Sequence, residues 1–79
     1  MYIEICGHYI EMLGSYNYHY NAVDVLKLLG LSTDICNELS SYEWTTRRRL
    51  TGEGNDDLFV SETGFVSLMN MKKVNIFSD

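Results

Sequence analysis

Asn21-Ala22-Val23-Asp24-Val25-Leu26-Lys27-Leu28-Leu29-Gly30-Leu31 is the stretch on which the fold turns, because both ends of a helix are written into it. Asn21 is a strong N-cap residue, since its side-chain oxygen can accept a free backbone N–H of the first turn. Asp24 stands three residues on, where a carboxylate reaches back toward the cap and faces the positive helix end. Ala22, Val25, Leu26 and Leu29 recur at helical spacing and make an apolar stripe that leaves Lys27 outside. Gly30 suits the left-handed residue just past a helix, and Leu31 is placed to pack back on Leu26. A helix of about three turns is not stable alone in water. The rest of the chain is therefore read as what it packs against.

Upstream, Tyr2–Cys6 and Tyr9–Leu13 are short β-prone runs around Gly7-His8, a pair that suits a type II′ hairpin turn. Alternation puts Glu4 and Glu11 outward and Ile3 and Ile5 on the other face. Gly14-Ser15 breaks the run. Tyr16-Asn17-Tyr18-His19-Tyr20 then alternates aromatic and polar residues, the period of a half-buried strand. Such a tyrosine ladder can stack bases, but its commoner role is core and sheet surface with hydroxyls at the rim.

Downstream, Ser32 or Thr33 can cap a second short helix with Ile35, Cys36 and Leu39 on its apolar side, ending at Ser40-Ser41. Tyr42 and Trp44 follow as anchors onto the core. Thr45–Leu50 and Asp57–Val60 read as strands around a turn at residues 51–56, which contains two glycines and an Asn-Asp pair. On such a strand Arg47 and Arg49 share one face and Arg48 takes the other. Those arginines either pair across the strands with Glu53, Asp56 or Asp57 or present a basic ribbon to an acidic partner. Ser61 can cap a last helix that starts at Glu62, buries Phe65, Leu68 and Met69, and ends near Lys72-Lys73. Val74–Phe77 is an apolar tail that must dock or meet a partner. Together these elements predict one α+β domain over residues 1–79. It comprises a small antiparallel sheet of N-terminal hairpin, tyrosine-rich strand and arginine-bearing hairpin, packed with two to three short helices.

Seventy-nine residues with 46% apolar, 22% charged and no proline are ordinary globular composition. A chain this short buries only ~60% of its unfolded surface, so self-association through the edge of the first hairpin or the tail is a reasonable expectation. No run has the form of a signal peptide or approaches the ~18 apolar residues of a membrane span, and the expected location is the cytoplasm of a host cell. Cys6 and Cys36 are accordingly expected reduced. The net charge of −5 argues against nonspecific phosphate binding as the main activity. Residues 45–50 hold three arginines and no acid, while residues 51–62 hold four acids and no base.

Two motifs in order resemble the BRO-N domain of phage antirepressors and large DNA viruses. Tyr20 to Leu31 is similar to its aromatic–x–Ala–x–Asp–Val–x–x–x–Leu–Gly–apolar opening. Phe59-Val60-Ser61-Glu62-Thr63-Gly64-Phe65-Val66-Ser67-Leu68 is similar to its second signature, an apolar pair, a polar residue, then Glu–small–Gly–aromatic–x–x–Leu. The resemblance spans roughly residues 16–70 and implies a small α+β regulatory domain of phage or prophage origin. Family members bind DNA or protein, and antirepressors engage a repressor. They usually continue into a second domain, whose activity is not expected of a sequence stopping at Asp79. Asp24, Gly30, Glu62 and Gly64 match the motifs, yet each has a structural use as cap, dipole partner or glycine needed for close approach.

No nucleophile and base stand in a catalytic frame and no phosphate loop is present, so an enzyme is not expected. Cys6, His8, His19 and Cys36 follow no zinc-finger spacing, and neither metal nor cofactor is expected. The leading expectation is a regulatory binding protein that blocks a host or phage protein such as a repressor, transcription or defence factor. Its contact residues would be Arg47, Arg48, Arg49, Trp44 and Tyr42, residue types that dominate hot spots. The alternative is DNA binding, with the arginine hairpin in a groove and Lys72 and Lys73 on phosphates. A third reading is an acidic mimic of nucleic acid, and a homodimer is compatible with all three.

Overall fold

The computed structural model describes residues 1–72. Lys73 and the Val74–Phe77 tail lie outside the described residues. In chain order the elements are β1 (Tyr2–Ile5), β2 (His8–Leu13), β3 (His19–Asn21), α1 (Ala22–Leu29), a 3-10 segment (Thr33–Glu38), β4 (Trp44–Thr46), α2 (Arg47–Thr51), β5 (Leu58–Ser61) and α3 (Glu62–Lys72). All strand pairs are antiparallel, in the order β1-β2-β3-β5-β4. The α+β architecture of sheet and short helices is thus the one the sequence predicts.

Three of the five strands run straight into a helix, and each time the last strand residue is the cap. Asn21 Oδ1 accepts the N–H groups of Val23 (3.0 Å) and Asp24 (3.3 Å). Thr46 Oγ1 accepts that of Arg49 (3.3 Å), and Ser61 Oγ that of Gly64 (3.1 Å). A short polar residue can close a ladder with its backbone and open a helix with its side chain, so no linker intervenes. At the far end of α1, Leu31 N–H donates to Leu26 O (3.0 Å) and Gly30 N–H to Lys27 O (3.4 Å), with Gly30 at φ +69°. That is a complete Schellman ending.

Asp24 does something other than closing back on its own cap. Its carboxylate accepts the backbone N–H of Glu11 in β2 (3.0 Å). On the β3 side of Glu11 the strand has turned into α1 and the pairing ends at Met12, so the Asp24 side chain supplies the acceptor there, while Tyr2 of β1 pairs with Glu11 on the other side. This welds α1 to the sheet at its first turn.

The core lies between α1, α3 and one face of the sheet. Ala22, Val25, Leu26 and Leu29 meet Phe65, Leu68 and Met69, with Ile10 and Val60 from the strands and Leu39 from beyond the 3-10 segment. The Tyr20 ring meets Phe65 edge-on at 5.2 Å. Ile3, Ile5, Trp44 and Leu58 pack around this cluster.

Several local expectations are corrected. The first hairpin turns at Cys6-Gly7, with Ile5 opposite His8, and both turn residues have positive φ (51° and 81°), as a type I′ turn requires. His8 is therefore a strand residue. The tyrosine run is a strand only at its end, from His19, and residues 15–17 form a bend. The second helix is a 3-10 turn capped by Ser32. The arginines lie on no strand. They form α2 within the β4–β5 connection, so the strand-face assignment of Arg47, Arg48 and Arg49 does not hold. The reason is punctuation: Thr46 caps and Gly52 (φ +80°) ends this segment as Asn21 and Gly30 do α1, and arginine and leucine favour helix.

Candidate interaction surface

The sequence groups Tyr42, Trp44 and the arginines within eight residues, but the fold puts them at opposite ends of β4. Trp44 pairs with Val60 and Thr46 with Leu58. Tyr42 therefore stands beside the start of α3, while Arg47, Arg48 and Arg49 stand beside the start of β5.

At the arginine end, the three side chains have three different fates. Arg47 is half-buried and forks onto Glu11, Nη1 to Oε2 at 2.7 Å and Nη2 to Oε1 at 2.6 Å. Its Nε donates to Asp57 Oδ2 at 3.2 Å, and its guanidinium lies 5.0 Å from the ring centre of Phe59. Phe59 is fully buried although it faces away from the helices, in register with Asn21 and Thr45. Arg47 is its roof, held in place by Glu11. Asn21 Nδ2 completes the set by donating to Glu11 Oε1 (3.3 Å). The Arg47 guanidinium, with help from Asn21, holds the Glu11 carboxyl below its ordinary value of 4.5 against the opposing pull of burial. Hydrogen bonding to Glu11 in turn pushes Arg47 further up. Arg48 is exposed, with Nη2 on Gly54 O (3.2 Å) and Nε 3.6 Å from Asp56. Arg49 is exposed and makes no ion pair among the described residues. Lys72 is exposed at the last turn of α3.

At the tyrosine end, Glu43 is the organiser. It is buried, only 7% exposed, and its Oε1 accepts the Ser40 N–H (2.8 Å) while Oε2 accepts the Ser67 hydroxyl. Its carbonyl accepts the Ser61 N–H (2.9 Å). The Ser67 hydroxyl and the Ser40 N–H hold the Glu43 carboxyl below 4.5, outweighing its burial. The carboxylate of Glu43 thus ties the turn at residues 40–43 to α3, its carbonyl ties the same turn to β5, and Tyr42 is left projecting, 74% exposed. Gly64 makes this approach feasible, because a Cβ there would run into the Glu43 carbonyl and lie 3.1 Å from Val60 Cβ. Trp44, by contrast, is half-buried against the core.

Opposite Tyr42, the bend after Gly14 (φ +112°) carries Tyr16, 95% exposed, and Tyr18. His19 Nδ1 lies 3.1 Å from Asn17 O and holds the bend. Between bend and helix lies a cleft of about 380 Å³ lined by Tyr16, Asn17, Tyr18, His19, Tyr42, Ser61, Glu62 and Thr63. A more apolar groove of about 440 Å³ adjoins it across Tyr42, Glu62 and Thr63, and runs along exposed Val66. A third depression of about 300 Å³ lies over Cys36, Trp44 and Leu58. Burial raises the Cys36 thiol above its ordinary value.

The fold places together Tyr42 with Tyr16, Tyr18 and Glu62, a grouping that sequence reasoning did not make. The available signal was Gly14-Ser15, which marks a bend ahead of the tyrosines as well as a strand end. Strand alternation makes Glu11 an outward residue, and nothing local to it announces Arg47, 36 residues away.

The molecule is a small α+β domain in which a mixed helical layer covers one face of a five-stranded antiparallel sheet. By structure it is similar to the N-terminal domain of Orf22, a Cydia pomonella granulovirus envelope protein, with a TM-score of 0.80 over 98% of this chain and 82% of that chain at 16% identity. No family model matches the sequence, and no curated protein matches it. The shared fold is what this likeness establishes. Among the described residues no helix is long and apolar enough to cross a membrane.

Proposed function

We propose that this chain is a virus-encoded, non-enzymatic binding module of antirepressor type, acting in the host cytoplasm by capturing and blocking a host or phage protein. The observation that carries this reading is the exposed tyrosine surface of Tyr16, Tyr18 and Tyr42 beside the Val66 groove. Tyrosines offer large, stiff contact area with a polar tip, the chemistry of protein hot spots. The BRO-N motifs and the granulovirus structural neighbour support viral origin. The internal use of Arg47 and the pairing of Arg48 with Asp56 disfavour the DNA-binding alternative, because they subtract charge from the groove contacts it needs.

The test is affinity capture from host lysate with tagged protein, with and without nuclease, comparing wild type, Tyr16→Ala/Tyr42→Ala and Arg48→Ala/Arg49→Ala. Expected is one stoichiometric, nuclease-resistant protein, lost with the tyrosines and kept without the arginines. Capture that disappears with nuclease, or that needs the arginines and not the tyrosines, overturns the proposal. The same preparations in multi-angle light scattering report whether the exposed β1 edge pairs two copies.

A further inference from the structure

We infer that the tyrosine-lined cleft receives a cationic side chain, arginine or lysine, from a basic segment of the protein partner. The inference rests on the protein-binding reading of this surface and names the chemistry of what enters it. Tyr16, Tyr18 and Tyr42 contribute rings that make no ring–ring contact among the described residues, the described pair being Tyr20 with Phe65. Tyr16 and Tyr42 are largely exposed and Tyr18 partly so, and the face of a tyrosine is the negative pole of its quadrupole. Glu62 lines the same cleft and makes no ion pair among the described residues. The only basic side chain in the lining is His19, whose Nδ1 is already directed at the Asn17 carbonyl.

Tyrosine rings around a carboxylate whose full negative charge exceeds the roughly half positive charge of the α3 N-terminus are an arrangement that suits an ammonium or guanidinium. The same arrangement rejects alternatives. A phosphate or carboxylate ligand would meet Glu62, and a stacked nucleotide would bring its phosphate against Glu62 and a chain of net charge −5. At about 380 Å³ the cleft is at the small end of ligand pockets and has room for a long side chain. The adjoining groove along Tyr42 and Val66 then takes an apolar neighbour of that residue. The net charge steers basic partners toward the chain.

The experiment is a two-dimensional 1H–15N NMR titration of the whole chain with acetyl-hexaarginine amide, with hexaglutamate as the control. Shifts are expected at the amides of Tyr16, Tyr18, His19, Tyr42 and Glu62 with the basic peptide and not with the acidic one. Glu62→Gln and Tyr42→Ala should each weaken the peptide by roughly tenfold, and Arg48→Ala should not. Far-UV circular dichroism confirms that each variant is folded. Shifts centred on the acidic loop at residues 53–57, no binding, or equal affinity in Glu62→Gln would overturn the inference. A lysate partner lost with the tyrosines but indifferent to Glu62→Gln overturns this inference alone. Hexaarginine seated in the cleft with no lysate partner supports it while removing the antirepressor reading.

Discussion

Gly64→Ala tests the joint on which the tyrosine surface depends. An alanine Cβ there would fall far inside contact distance of the Glu43 carbonyl and 3.1 Å from Val60 Cβ. Carbon and oxygen prefer ~3.5 Å, so α3 must back away from β4 by on the order of 1 Å. The carbonyl cannot yield cheaply, because it accepts the Ser61 N–H (2.9 Å) and the Ser61 hydroxyl (3.4 Å). Overpacking of this kind costs ~1–3 kcal/mol, and weakening the Ser61 bond adds ~0.5–1.5 kcal/mol. Better helix propensity returns ~1 kcal/mol. The net expectation is a loss of about 1–3 kcal/mol, or a melting temperature lower by about 5–20 °C in a domain of this size. Thermal and urea unfolding followed by circular dichroism measure it, and capture of the proposed partner should weaken in parallel as Tyr42 shifts. A Gly64→Ala protein that melts at or above wild type would refute the reasoning, since propensity would then have outweighed contact.

Two further predictions concern the carboxylates. Glu43→Ala strips acceptors from the Ser40 N–H and the Ser67 hydroxyl and should cost about 1–3 kcal/mol, with Glu43→Gln losing less; equal unfolding midpoints for Ala and wild type would contradict this. Because Glu11 and Glu43 are both held below 4.5 in the fold, the stability they contribute is present above that value and lost as pH falls through their folded values. Melting temperature should therefore be level from about pH 7 to about pH 5 and decline below about 4.5, less steeply in Glu43→Gln. Arg47→Ala should uncover Phe59, lower the melting temperature and raise the Glu11 carboxyl toward its ordinary range, read by carbon-13 NMR titration. Arg47→Lys should restore little, lacking the planar fork; an unmoved Glu11 titration would show that Arg47 is not its main partner.

The elements most legible in the sequence are those whose signals are local. Asn21 and Gly30 bracket α1, Ser61 opens α3, and the apolar spacing of Val25, Leu26, Leu29, Phe65, Leu68 and Met69 marks the core faces. Gly64 was legible as a glycine of close approach, though what it approaches was not. The misread segments are those in which two local codes compete. Thr45–Leu50 looks extended by its threonines, yet Thr46 and Gly52 punctuate it as a helix, and the cap decided. The tyrosine run alternates like a strand, but three of its residues precede any pairing partner and only the end finds β2 and β5.

What the sequence determined by itself is the α+β class, the places of α1 and α3, and the net charge of −5, because caps, periodicity and composition are local or additive along the chain. The tertiary structure alone decided the roles of the charged and aromatic side chains. Arg47 became a roof over Phe59 by reaching a glutamate 36 residues away, Asp24 replaced a missing strand carbonyl, and Tyr42 met Tyr16 and Glu62 across a cleft. Each depends on the order β1-β2-β3-β5-β4, in which β5 returns between β3 and β4. That order is set by burial of the whole sheet face under two helices, a sum over distant contacts that no single stretch of chain encodes.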